Sequence, residues 1–130
     1  MKALDVSVLV GILHDSPGAK ELLKSLHGEE IATTELDLFD LKRLAATASA
    51  AARPSREGAI SRLRRRITVL PVSAEGVSEA GRFLRTGADL GPIALAWGVL
   101  SAAGCSEWIT TREFAPTKVR LPFRVRVIKL

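Results

Sequence analysis

Short apolar runs of strand length alternate along this chain with longer segments of helical spacing. That order constrains the fold more than any other feature. Lys2–Asp5 reads as a buried strand, and Ser7–His14 continues as a short apolar helix. Ser16-Pro17 marks a helix start, an N-cap hydroxyl followed by proline at the first helical position. Ala19, Leu22, Leu23 and Leu26 follow at helical spacing until Gly28. Ile31–Thr33 reads as a second strand. Thr34 caps a helix whose inward stripe is expected to hold Leu36, Asp40, Leu41, Leu44, Ala45 and Ala48. Arg53-Pro54-Ser55 breaks that helix, and a basic helix runs on to about Arg66. Ile67–Val72 is β-rich. Ser73 then caps a helix with Val77, Ala80 and Leu84 on one face, closed by Gly87. Gly91-Pro92 opens an apolar helix to Ala103, and Trp108–Thr111 and Phe123–Ile128 read as strands. Strands alternating with helices predict an α/β fold: a mainly parallel sheet covered by helices on both faces. Ligands of such sheets bind beyond the carboxyl ends of the strands, where Asp5 falls.

No repeat, low-complexity tract or linker divides the 130 residues, so one domain spanning 1–130 is expected. Apolar residues at 47% and charged residues at 25% suit a globular core rather than disorder. A lone cysteine, Cys105, cannot form an internal disulfide and reads as a small packing residue. The longest apolar run, Ile93 to Cys105, falls short of the roughly 20 residues a membrane span needs. Asp5 interrupts the N-terminal apolar stretch, which therefore reads as a strand and not a signal peptide. A soluble, cytoplasmic protein with no membrane partner is the expectation. The chain has no Asn, Gln or Tyr, which points to a thermophilic source or to the bias of a GC-rich genome.

Two carboxylates stand where the hydrophobic pattern points inward. Asp5 closes the first apolar run, and Asp40 shares a helical row with Leu36 and Leu44. A carboxylate driven inward costs several kcal/mol unless a cation or a set of donors compensates it. The pair therefore suggests a shared cation site. Each has a plainer reading: Asp5 as the cap of the following helix, Asp40 as the partner of Arg43 or Arg112. Glu35 and Asp37 are expected to be exposed. Ser7 either bonds a metal-bound water or caps its own helix.

Charge is distributed unevenly. Residues 14–40 hold seven acids against two lysines, whereas residues 41–66 hold eight bases against Glu57. An acidic centre flanked by basic segments suits a polyanion drawn toward a cation site, and it equally suits a solvated helix face. Arg62, Arg64, Arg65 and Arg66 on the basic helix are the candidate phosphate contacts, since guanidinium binds phosphate bidentately. Few aromatics lie among them, which argues against base stacking. His14 and His27 lack partners at zinc spacing. No phosphate-cradling glycine loop or nucleophile elbow is present, which weakens nucleotide-binding and serine-hydrolase readings.

The order of several segments resembles the PIN-domain family, in particular the VapC-type toxin ribonucleases, over nearly the whole chain. Asp5-Val6-Ser7-Val8-Leu9-Val10 looks like the family's opening strand, aspartate and hydroxyl residue. Glu30-Ile31-Ala32-Thr33-Thr34 and Leu38-Phe39-Asp40-Leu41 follow, the latter where the family has its second acid. Leu90-Gly91-Pro92-Ile93 resembles the approach to a third acid, and Trp108-Ile109-Thr110-Thr111-Arg112-Glu113-Phe114 resembles the last metal-proximal strand and loop. The chain departs from the pattern at Ala94, which stands where the third aspartate is expected. The nearest acid, Asp89, lies five residues upstream. Gly104-Cys105-Ser106-Glu107 is also one residue longer than the usual approach to the strand.

The resemblance implies a three-layer α/β/α PIN-like domain and a metal-dependent endoribonuclease of a toxin–antitoxin pair, with activity weakened at the Ala94 vacancy. It implies Mg²⁺ or Mn²⁺ held by Asp5 and Asp40, with Glu113 as a substitute acid and Ser7 and Thr111 as hydroxyls near the metal. RNA, a second copy of the chain and a cognate antitoxin are the implied partners. The competing reading is a degenerate PIN-like module that binds RNA or a protein without cleaving.

Overall fold

Alternate residues of each strand feed opposite layers of helices, and this turns the strand–helix order into three layers. The computed structural model describes residues 1–85, 90–113 and 119–130. The strands are β1 (Lys2–Leu4), β2 (Ile31–Thr34), β3 (Thr68–Leu70), β4 (Glu107–Thr110) and β5 (Arg124–Val127). They form one sheet in the order β3-β2-β1-β4-β5, and every pairing is parallel. Helices α1 (Val6–Leu13), α2 (Pro17–Ser25), α3 (Glu35–Ala46) and α4 (Arg53–Arg64) lie between β1 and β3 in sequence, and α5 (Ala74–Leu84) and α6 (Pro92–Ala102) between β3 and β4.

Leu4 and Ile109 join a core with residues of α1 to α4, whereas their neighbours Ala3 and Trp108 join a second core with residues of α5 and α6. The chain first steps from β1 outward to β3 and then returns across β1 to β4. Crossovers of one hand must then place the two helix sets on opposite faces. The returning step creates a switch point between β1 and β4, where neighbouring connections leave in opposite directions.

Helix starts follow the sequence signals. Ser16, Thr34 and Ser73 each accept the backbone amide three residues on, from Ala19, Asp37 and Gly76. Two helix faces differ from expectation. On α5 the buried residues are Gly76, Ala80 and Phe83, while Val77 and Leu84 are about half exposed. The reason is the close approach of α5 and α6: a side chain at Gly98 would collide with the Gly76 carbonyl and Ala80. Gly76 and Ala80 therefore face α6 where the helices touch, and Val77 and Leu84 turn outward. On α3 the inward row is Asp37, Leu38, Leu41 and Ala45, while Leu44 is exposed. Gly87, Asp89 and Phe114 lie outside the described residues. No described helix is long and apolar enough to cross a membrane.

Candidate functional site

The carboxyl ends of β1, β2 and β4 meet at one place, and each contributes to it. Asp5 follows β1 directly, and its amide is held by the carbonyl of Ile109 on β4. Although Asp5 occupies the N-cap of α1, its side chain makes no capping bond. The carboxylate turns toward β4 instead. Its Oδ2 accepts the Ser7 hydroxyl at 2.6 Å and the Thr110 hydroxyl at 2.8 Å. The Arg112 Nε lies 3.1 Å from the same oxygen. Oδ1 has no hydrogen-bond partner among the described residues. The helix-capping reading of Asp5 and Ser7 is therefore not what the structure shows.

Both hydroxyls also accept backbone amides. Ser7 Oγ accepts from Thr111 N–H at 3.1 Å, and Thr110 Oγ1 accepts from Arg112 N–H at 3.1 Å. The turn after β4 is thus tied to Asp5 through two hydroxyl groups. Thr110, fully buried, supplies the side-chain contact, and Thr111 supplies only its backbone. The hydroxyl at this place, expected from Thr111, comes from Thr110, the last residue of β4.

The acid that the fold brings beside Asp5 is Asp37, not Asp40. Asp37 is 7% exposed and stands at the third position of α3. Its amide donates to the Thr34 Oγ1, and its Oδ2 accepts the Thr34 hydroxyl at 2.8 Å. Its Oδ1 accepts the Val6 amide at 3.2 Å, at the start of α1. The carboxylate therefore closes the open amino end of α1, while the Thr34 hydroxyl that it orients caps α3. Burial, reinforced by the nearby Asp5 charge, raises its pKa from the ordinary 3.8 to about 7, with the Thr34 and Val6 bonds and Arg112 opposing the rise. Asp40 instead has a 45% exposed side chain, paired at 3.5 Å with Arg43. Its row on α3 is outside the buried stripe, so the expectation that it points inward is corrected, as is the expectation that Asp37 is exposed. The signal that locates Asp37 in the sequence is the spacing Thr34-Glu35-Leu36-Asp37, an N-cap hydroxyl with an acid three residues later.

The other candidates separate from this pair. Glu113 is exposed. Ala94 is 1% exposed and packs in the apolar core with Ala3, Ala32 and Trp97. Among the described residues no group of three or more His, Cys, Asp or Glu could hold a metal ion together. Arg62, Arg64, Arg65 and Arg66 are all exposed. Arg62 and Arg66 line a groove of about 420 Å³ with Ile31 and Ile67, at the starts of β2 and β3. They stand at the amino edge of the sheet, roughly a strand length (~10 Å or more) from the acids at its carboxyl edge.

No protein-family model matches the sequence, and no curated protein matches it. Solved structures do match. One is a chain from VapBC2 of Rickettsia felis bound to a promoter DNA fragment, 16% identical, with a TM-score of 0.80 over 97% of each chain. A chain from DNA-bound VapBC of Salmonella typhimurium is 18% identical, with a TM-score of 0.78 over 97% of this chain and 96% of that one. VapC20 of Mycobacterium tuberculosis, a toxin that cleaves the sarcin–ricin loop, is 16% identical, with a TM-score of 0.64 over 83% of this chain and 87% of its own. At these identities the likeness is one of fold, and the fold is that of the VapC-type PIN domains.

Proposed function

We propose that this chain is the toxin of a VapBC-type pair, a cytoplasmic endoribonuclease whose divalent cation is held by Asp5 and Asp37. The observation that supports it is the meeting of these two acids at the carboxyl ends of adjacent parallel strands, beside the switch point of a VapC-like fold. Two buried carboxylates whose charges disfavour one another suit a hard cation such as Mg²⁺ or Mn²⁺, which takes oxygen ligands and keeps several waters. Such an ion, when bound, supplies an activated water and neutralises charge on a phosphodiester. The protein's own part is orientation. Ser7 and Thr110 fix the Asp5 carboxylate, and Thr34 with the Val6 amide fixes Asp37. With two acids and Ala94 in the core, binding is weak and turnover slow. A cognate antitoxin and a second copy of the chain are the proposed protein partners, and RNA the substrate.

One observation favours a second reading, a module that binds without cleaving: a cation already sits against Asp5, as Arg112. The test is cleavage of a structured RNA in Mn²⁺ by the purified protein. Loss of activity in both Asp5→Asn and Asp37→Asn, with Asp40→Asn within about twofold of wild type, supports the nuclease. RNA binding without cleavage by the wild type supports the second reading, and equal activity in all four proteins rejects the assignment of the site.

A further inference from the structure

We propose that Arg112 is the resident counter-cation of this site: its guanidinium holds Asp5 in the metal-free protein, and a divalent ion enters by displacing it. This rests on the reading of Asp5 and Asp37 as cation ligands, and it adds an exchange step that the reading does not contain.

Two observations and one electrostatic argument carry it. The Asp5 side chain is 4% exposed, so its charge is costly without compensation, and beside its two hydroxyl donors the Arg112 Nε at 3.1 Å is the cation in contact with it among the described residues. Asp37 lies beside Asp5 through its bond to the Val6 amide, so the guanidinium sits at the edge of the same pair of acids. A divalent ion placed between these acids meets like charge, and the two cations exclude one another.

The anchoring also suits an exchange. The Arg112 side chain is 48% exposed, so its head has a route into water. Its backbone is held where it is, because the Arg112 amide bonds Thr110 Oγ1 and the preceding amide bonds Ser7 Oγ. Departure of the guanidinium therefore requires side-chain rotation alone. The acceptor oxygen it leaves keeps both hydroxyl donors, so Asp5 remains oriented.

The experiment is calorimetric titration with MnCl₂ of the wild type and of Arg112→Ala, Arg112→Gln and Arg112→Lys. Removing the guanidinium charge in Ala and Gln is expected to tighten Mn²⁺ binding by about 10–100-fold, the scale on which outer partners of metal ligands act. Arg112→Lys keeps the charge and is expected to stay within about threefold of wild type. Thermal melts provide a second readout. The Ala and Gln variants should melt below wild type in chelator, and added Mn²⁺ should raise their Tm more than it raises that of wild type. Unchanged or weaker Mn²⁺ binding in both neutral variants overturns the exchange, as does equal tightening in Arg112→Lys. If wild-type binding is at the same time lost in Asp5→Asn, the cation site itself stands. Absence of Mn²⁺ binding in every protein overturns both the exchange and the cation site.

Discussion

The Asp37 carboxylate accepts the amide of Val6, so an acid from the start of α3 closes the amino end of α1. This contact brings Asp37 beside Asp5 and forces a charge into a buried position. Between pH 3.8 and about 7 the folded protein keeps a proton on Asp37 that the unfolded chain has released. More protons on the folded state mean that stability falls as pH rises through that window. Urea denaturation in chelator is expected to show this decline, with the loss complete above about pH 7. Asp37→Asn should remove the slope and leave the variant more stable than wild type at pH 8, by on the order of 3 kcal/mol. At pH 4 it should show no advantage.

The two adjacent threonines differ in what their hydroxyls touch. Thr110 is fully buried and donates to Asp5, whereas the Thr111 contact to Ser7 runs through its backbone. Thr110→Val keeps the shape and removes both the donor to Asp5 and the acceptor for the Arg112 amide. It is expected to cost about 1–3 kcal/mol in denaturant melts. Thr111→Val should stay within about 0.5 kcal/mol of wild type. Equal costs would show that the hydroxyl tie to Asp5 contributes nothing to stability.

Ala94 stands in an apolar core, and a carboxylate introduced there meets Trp97 and its neighbours. Ala94→Asp is accordingly expected to destabilise the fold by about 2–7 kcal/mol, the cost of an uncompensated buried polar group. Denaturation midpoints in chelator and in Mn²⁺ measure it. A folded Ala94→Asp protein with stronger Mn²⁺ binding would instead place this position at the cation site, as the resemblance read from the sequence implies.

The arginines on and after α4 lie at the opposite edge of the sheet from the acids. On the proposed reading they would hold RNA away from the scissile bond. Replacing Arg64, Arg65 and Arg66 with Gln should flatten the dependence of log affinity on log salt by up to about 2, at roughly 0.7 per phosphate contact for single strands. In cleavage assays the change should fall on KM, with kcat held within about threefold. A kcat loss as large as that of Asp5→Asn would contradict the separation of the two surfaces.

The alternation of strands and helices was determined by the sequence alone, because local rules set it. Apolar runs of three to six residues, hydroxyl N-caps and Pro at helix starts marked most elements to within about two residues, including Thr34 as the cap of α3; the end of α3 is the exception, since it stops at Ala46 and Arg53-Pro54-Ser55, read as its break, opens α4. Asp5 was legible as a buried, compensated charge because a carboxylate at the end of a buried strand must be met by a cation or by donors. Tertiary structure decided which acid joins it. Leu36, Leu38, Leu41 and Leu44 spread apolar character round much of α3, so periodicity permits either Asp37 or Asp40 to face inward. The choice was made by the Val6 amide at the start of α1, a donor thirty-one residues away in sequence that bonds Asp37. The α5 face followed the same logic, since Gly98 on another helix determined that Gly76 and Ala80 turn inward. The pairing of Asp5 with Arg112 likewise depends on β4 lying beside β1, a neighbour relation set by the returning crossover and absent from any local pattern.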